Sequence, residues 1–351
     1  MNDSDQMIEI ELTEEVLPEG WTRVKFGDIA EINPSRTPVR DEDTEVTFLG
    51  MADVSDEARI ISPQKRSYKS VKTGFTAFAE NDLLIAKITP CFENGKGALA
   101  KGLTNGLGFG STEFHVIRAK EGVSIEFLYY HSITKEFRGK GEQEMTGSAG
   151  QKRVPANFLR NYNLALPPLT EQQKIASILG KWDEGIQKLQ NLIVYKAELK
   201  RGLVEQLLNQ KKRFKEFAGM AWETVKLGDV AKIASGGTPS RERKDYWGGS
   251  IPWVTTTLID FKEINKAEEY ITELGLNNSS AKVFPAGTLL MAMYGQGQTR
   301  GRVGMLTIPA ATNQACAAII PNLEKVDRHF LFQNLASRYA EIRGLSNVGN
   351  Q

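Results

Sequence analysis

The sequence is short of most residues that carry chemistry. Its three histidines, His115, His131 and His329, are scattered over 351 residues, and none stands at the spacing of a zinc-binding pair. Its two cysteines, Cys91 and Cys316, lie far apart with no metal-ligand spacing and read as free thiols in a reducing cytoplasm. No apolar run approaches the ~18 residues that suggest a membrane span. No basic segment precedes an apolar core at the N-terminus, so membrane and secretory classes are set aside. Neither sign of charge is in excess, with 44 basic against 43 acidic residues. Composition therefore neither suggests nor excludes a polyanionic partner. Apolar residues make up 40%, enough for packed globular domains rather than disorder.

Catalytic signatures are missing as well. There is no Gly-x-Ser-x-Gly elbow. Gly95-Lys96-Gly97 lacks the upstream glycine and the hydroxyl of a phosphate-binding loop. Gly295, Gly297 and Gly301 approach a dinucleotide fingerprint but have three residues in the second gap, and no long parallel-sheet unit surrounds them. Asn33-Pro34-Ser35 is not the Asn-Pro-Pro-aromatic motif of amino-methyltransferases. His115 falls in an apparent strand and reads as core. The chain reads as a binder with no metal or cofactor of its own.

What is present is a repeat. Trp21 opens WTRVKFGDIA and Trp222 opens WETVKLGDVA, with six of ten positions identical at an offset of 201 residues. The correspondence continues from NDLLIAKI (81–88) to GTLLMAMY (287–294), from STEF (111–114) to TNQA (312–315), and from IEFLYYHSI (125–133) to DRHFLFQNL (327–335). Each copy reads as α+β, with short strands at Leu83–Ile88, Phe114–Arg118 and Leu289–Tyr294. Amphipathic helices are expected at Ile125–Gly139 and Val326–Ile342. The V-K-apolar-G-D segment predicts a short strand entering a one-turn helix. Trp21 and Trp222 are expected to pack the domain base, and Tyr129 and Tyr130 to be structural. Trp247 and Trp253 flank glycines in an expected loop, and for them both a packing and a functional role stay open.

Between the copies runs LPPLTEQQKIASILGKWDEGIQKLQNLIVYKAELKRGLVEQLLNQKKRF (166–214). Thr170 reads as an N-cap, with Gln173 completing a capping box and Glu171 placed for the helix dipole. Ile175, Leu179, Trp182, Ile186, Leu189 and Ile193 recur at alternating spacings of four and three, a seam along one face. Lys196 and Lys200 interrupt the seam, and it resumes at Leu203 and Leu207 by drifting through Leu192 and Leu199. From Thr170 to Arg213 such a helix measures roughly 65 Å. A helix this long needs a second helix on its seam, as in a coiled-coil stalk or an oligomerisation arm.

Each copy carries clusters of polar and basic residues in glycine-containing loops. The first has Ser35, Arg36 and Thr37; Lys87, Thr89, Asn94 and Lys96; and Ser148, Gln151, Lys152 and Arg153. The second has Ser235, Thr238, Arg241 and Arg243; Tyr294, Gln296, Gln298, Arg300 and Arg302; and Asn313. Arginine, lysine, asparagine and glutamine read base edges, while serine, threonine and lysine hold phosphates. Arg36→Ala and Lys96→Ala are expected to weaken DNA binding without unfolding the protein.

Three features together, the repeated W-x-x-V-K-x-G-D-x-A, the LPPLTEQQKIASIL segment (166–179) and TNQA (312–315) behind GQGQTRGRVG, make the chain resemble the specificity subunit of Type I restriction-modification enzymes over residues 17–351. The resemblance implies an acidic leader (1–20), a first target recognition domain (21–166), a long spacer helix (167–215) and a second target recognition domain (216–351). It implies a non-catalytic subunit that binds double-stranded DNA at a bipartite site, one half-site per domain. Partners would be two modification subunits and the restriction subunits, which carry S-adenosylmethionine, ATP and magnesium. A second spacer helix is expected after the second domain, and none precedes Gln351. On that ground the chain reads as shortened, and its seam is expected to be covered by self-dimerisation. The competing readings are a protein-binding scaffold and an inactive truncated allele.

Overall fold

The computed structural model describes residues 17–35, 39–148, 150–294 and 298–345. Most of the acidic leader lies outside them. The chain divides into two compact units, Met1–Gln190 and Asn191–Gln351, with the boundary inside a long helix.

The first unit contains β1 (Thr22–Lys25), α1 (Phe26–Ile29), β2 (Ala30–Ile32), β3 (Glu45–Leu49), β4 (Gln64–Ser67), α2 (Tyr68–Val71), β5 (Thr76–Ala79), β6 (Leu83–Ala86), β7 (Gly97–Leu99), β8 (Leu107–Gly110) and β9 (Phe114–Ala119). It continues with α3 (Ile125–Ser132), α4 (Lys135–Gln143), α5 (Ala156–Asn161), β10 (Asn163–Leu166) and the start of α6 (Leu169–Leu208). The second unit takes over α6 and adds α7 (Leu227–Val230), β11 (Ala231–Ser235), β12 (Trp247–Val254), β13 (Glu263–Ile264), β14 (Glu269–Ile271), α8 (Glu273–Asn277) and β15 (Val283–Phe284). It ends with β16 (Leu289–Ala292), β17 (Val303–Leu306), β18 (Ala310–Thr312), β19 (Cys316–Pro321), α9 (Arg328–Ser337) and α10 (Tyr339–Leu345).

The repeat in sequence is a repeat in topology. One sheet of the first unit runs β2-β9-β6-β7, and its counterpart runs β11-β19-β16-β17 with β13 added at the edge. The other sheet runs β4-β3-β8-β5, and its counterpart β14-β12-β18-β15. Both second sheets contain one parallel pair, β3 with β8 and β12 with β18. The fold is α+β, two similar domains and a long helix.

The layering explains why β6 reads as an unbroken apolar run. Leu83 and Ile85 face a cluster with Phe26, Leu128 and Phe137 from the helices. Leu84 faces the second sheet, in a cluster with Leu49 and Phe78. A strand covered on both faces loses the alternation of a half-exposed one. In β16, Leu289 and Met291 pack with Leu331 and Leu335 of α9, and Leu290 packs with Phe284 and Ala310.

Several expectations change in detail. The helix expected over Ile125–Gly139 is two helices, because the Thr134 side chain accepts a hydrogen bond from the Phe137 N–H and starts α4. Val326–Ile342 likewise splits, at Arg338. Leu83 and Ile117 pair in one unit and Leu289 and Ile319 in the other, so β9 and β19 correspond at an offset of 202. The alignment of STEF with TNQA is therefore one residue out of register. Trp247 and Trp253 lie in a strand rather than a loop, and Trp253 is buried. In the first copy WTRVK forms β1 against β10. In the second, Glu223–Lys226 belong to no strand among the described residues. Trp222 there packs edge-on against Phe330 at 5.8 Å.

Helix α6 starts one residue before Thr170. The Pro168 carbonyl accepts from the N–H groups of Glu171 and Gln172 at 2.8 and 3.0 Å, and Gln173 is exposed. Its neighbour Gln172 is the residue that acts. It is 1% exposed, its Oε1 accepts from the Ser124 N–H at 2.9 Å, and its Nε2 donates to the Pro167 carbonyl at 2.8 Å. Ile175, expected on the pairing seam, instead packs against the core of the first unit, as does the buried Ala176 face of the same turn. The helix ends at Leu208 rather than Arg213, where Gln210 turns left-handed (φ 60°) and the Lys212 N–H returns to the Gln206 carbonyl. Leu179, Trp182, Ile186, Leu189 and Ile193 are exposed, Trp182 to 71%.

Truncating Gln172 leaves a buried N–H and carbonyl without partners. Gln172→Ala is expected to destabilise the first unit by about 1–3 kcal/mol, read as a lower denaturation midpoint for its transition.

Candidate nucleic-acid interface

The antiparallel order β2-β9-β6 has a geometric consequence. Both neighbours of β9 end where β9 begins. Residues that follow β2, follow β6 and precede β9 are thereby gathered at one end of the sheet. In the first unit these are the segment leaving Ile32, the loop 87–96 and the turn 111–113. The loop 146–153 joins them: the Thr89 N–H donates to the Lys152 carbonyl at 2.9 Å, and the Val154 N–H to the Lys87 carbonyl at 2.8 Å.

Within this cluster Ser35, Asn94, Ser148, Gln151 and Lys152 are exposed, and Lys87 and Thr89 are half-buried. Arg36 and Thr37 lie outside the described residues. Arg153 is not free: its guanidinium grips Glu113 with two hydrogen bonds of 2.9 Å, and that pairing holds the Glu113 carboxyl below its ordinary pKa. Lys96 is turned inward, its ammonium donating to the carbonyls of Met51 and Val54 at 3.2 Å each. It therefore fastens the loop as well as charging it. Arg138, 6% exposed, secures the same loop from below through the carbonyls of Phe92 (3.0 Å) and Gly95 (3.3 Å), and burial pushes its pKa down to about 10.

Sequence reasoning missed the pin of this cluster, Asn33 with His115. The Asn33 Oδ1 accepts from the Val116 N–H at 3.0 Å, which turns its amide nitrogen toward His115 Nδ1 at 3.3 Å. Nε2 then carries the imidazole hydrogen and donates to the Val154 carbonyl at 2.8 Å. One tautomer thus ties the segment after β2, strand β9 and the loop before α5 together. The strand position of His115 was legible, but its partners, 82 and 39 residues away, were not.

The second unit gathers the equivalent segments. Thr238 donates to the Gln314 side chain at 2.5 Å, the Gly237 N–H donates to the Thr312 carbonyl at 2.8 Å, and the Met293 N–H to the Ala315 carbonyl at 2.8 Å. Gly237 is required there, because a Cβ would stand 2.4 Å from the Ser280 backbone. Ser235 and Tyr294 are exposed beside this junction, and Asn313 accepts from the Cys316 thiol. Gln296 lies outside the described residues. Arg241 and Arg243 lie in the loop that leads into β12. Arg241 pairs with Glu269 and stacks 3.7 Å over Trp247; Arg243 pairs with Asp245 at 2.6 and 2.9 Å. Arg302 pairs with Asp260 at 2.8 Å, and the exposed Gln298 accepts from it through its backbone carbonyl. Arg300 is half-buried in the same turn.

A model of the Type I restriction modification DNA specificity domain matches residues 18–196 and again 220–351. The chain belongs to that family. The two matches fall one on each copy of the repeat. The chain is 38% identical over 194 residues to the Escherichia coli Type I restriction enzyme EcoEI specificity subunit, covering 55% of this chain and 32% of that protein. It is 40% identical over 199 residues to the EcoAI specificity subunit of the same organism, covering 55% and 33%. The chain thus spans about a third of the length of these curated relatives. In fold it is similar to the crystal structure of a Type I restriction-modification system S subunit from M. genitalium, with TM-score 0.58 and 14% identity over 97% of this chain and 82% of that one.

Burial lowers the pKa of both His115 and His131. In the unfolded chain each takes up a proton near pH 6.5, while the folded protein resists until lower pH. Folding stability is therefore expected to be full above about pH 7 and to fall as pH drops below ~6.5. His115→Gln should make that fall shallower, measured by denaturation between pH 5 and 8.

Proposed function

We propose that this chain is a non-catalytic, sequence-specific DNA-binding subunit that directs a Type I restriction-modification complex to a bipartite site. One observation carries the reading: the family match falls on both copies of a repeat whose sheets share one topology and gather equivalent loops at the same end. Residues 21–166 and 216–351 act as the two readers, and 167–215 as the spacer that sets the gap between half-sites. Each reader contacts double-stranded DNA through the loops after the first and third strands of its β2-β9-β6 or β11-β19-β16 sheet, with Ser35, Lys87, Asn94, Gln151 and Lys152 in one copy and Ser235, Tyr294 and Asn313 in the other. Asparagine and glutamine supply base-edge hydrogen bonds, and lysines hold phosphates.

Two modification subunits and the restriction subunits perform the chemistry, bringing S-adenosylmethionine, ATP and magnesium with them. The exposed line Leu179–Ile193 of α6 takes a second helix, from a partner subunit or a second copy of the chain. Such a line is wider than the scattered apolar residues of an ordinary surface.

Adenine-methylation mapping of cells that express this chain with its cognate modification subunit tests the reading. A bipartite motif with a fixed gap is the expected result, and absence of any methylated motif would sink it. In vitro, Lys152→Ala is expected to weaken DNA binding across sequences and to reduce the slope of log affinity against log salt by about one, read by fluorescence anisotropy between 50 and 200 mM salt.

A further inference from the structure

Helix α6 has a second face that is not apolar. Gln172, Ala176, Gly180, Asp183 and Gln187 fall on one side of it, spaced four, four, three and four residues apart. That side lies against the first domain. Gln172 and Ala176 are buried. Next to Gly180, Tyr130 of α3 donates its hydroxyl to Asp183 Oδ2 at 2.8 Å. The other carboxylate oxygen, Oδ1, accepts from Arg59 at 2.9 Å, and the same guanidinium reaches Gln187 Oε1 at 3.1 Å. Arg59 comes from the turn between β3 and β4, so α3 and the second sheet both hold one carboxylate.

The two attachments differ in kind. The first, at Pro167–Ala176, continues the covalent chain and can act as a pivot. The second begins seven residues on at Asp183 and is purely side-chain. A helix held only by its first two turns swings about them. Leu208 lies about 54 Å along the axis from Gln172, so a 10° swing would move it by about 9 Å, roughly three base-pair steps at ~3.4 Å each. A contact two to four turns from the pivot blocks that swing at little energetic cost, since it needs only to outweigh bending and not to hold the helix folded.

We propose that the Arg59–Asp183–Tyr130 contact is a spacing latch: Asp183 is a positioning residue that fixes the angle of α6 on the first domain, and through it the number of unread base pairs the protein tolerates, without touching DNA. The proposal rests on the DNA-directing reading above. It separates two properties that a reading-loop residue would change together. Loss of the latch should relax the gap and leave the bases of each half-site unchanged.

The test pairs two measurements on the full chain. The first is adenine-methylation mapping with the cognate modification subunit for wild type, Asp183→Ala, Tyr130→Phe, and the reversed pair Arg59→Asp with Asp183→Arg. The expected result for Asp183→Ala is methylation at gaps one base pair shorter or longer, raised at least tenfold over wild type, with half-site bases unchanged. Tyr130→Phe should give a smaller rise, and the reversed pair should restore the single gap. An unchanged gap in Asp183→Ala, or altered half-site bases, overturns the proposal. The second measurement needs no DNA. Spin labels at Lys69→Cys and Lys188→Cys, in a background with Cys91→Ser, report the angle of α6 on the first domain. Asp183→Ala should broaden the distance distribution, and a distribution as narrow as wild type overturns the latch. If wild type methylates nothing while the distribution broadens, the DNA reading fails and the latch stands as a mechanical fact.

Discussion

Each domain depends on one strand flanked on both sides by antiparallel neighbours. In β9, Phe114 and Ile117 are almost wholly buried, and in β19 Cys316 and Ile319 are as well. A slip of one residue would exchange the two buried faces of such a strand, so its register is strongly fixed. With register fixed, the ends of β2 and β6 are fixed beside the start of β9. The loops there can then change sequence without changing place. On the proposed reading that is the property a DNA reader needs, and it follows first from strand order. Arg138 and Lys96 add to it by tying the loop 87–96 to backbone carbonyls below.

Helix α6 solves a different problem. Of its 40 residues only Gln172 and Ala176 are buried. A single exposed helix draws little stability from propensity alone, and Gly180, Gly185 and Gly202 each weaken it further. Its two used faces divide the work. The polar one is satisfied within the first domain, where fixed hydrogen-bond geometry sets an angle. The apolar one remains exposed; on the proposed reading it would be buried against another helix, where burial is non-directional and would contribute most of the energy. Orientation and affinity are thus assigned to different side chains, and each can change without the other.

What was legible in the sequence follows the range of the interactions. The repeat, the buried strand β6 and the existence of α6 rest on local pattern, and each is found where the pattern put it. The helix breaks at Ile133–Thr134 and at Arg338 escaped notice because an apolar period carries across one or two non-helical residues. Ile175 fits the seam by spacing, yet the domain core reaches it first, since a heptad pattern records that a side chain is buried and not by what. The latch could not be read from the sequence, because the partners of Asp183, Arg59 and Tyr130, are 124 and 53 residues away. Of the candidate DNA contacts, the loops were identifiable from glycine and polar content, whereas the inward turn of Lys96 needed the fold.

The arginines raise a question of charge. Arg153, Arg241, Arg243 and Arg302 are each paired with a carboxylate, and the chain as a whole carries only +1. Exposed pairs of this kind add little stability, typically below about 1 kcal/mol, so their value lies elsewhere. A free arginine loses rotamer entropy when it meets a base, whereas one already clamped by a carboxylate, and in the case of Arg241 stacked on Trp247, has lost it beforehand. The carboxylate also cancels the long-range pull on phosphate, so such an arginine contributes little to indiscriminate binding along DNA. On the DNA-directing reading proposed above, pairing of this kind would shift the balance from affinity toward selection. On the same reading, lysines such as Lys152, which has no ion pair with a carboxylate among the described residues, would supply the attraction that any DNA sequence would feel.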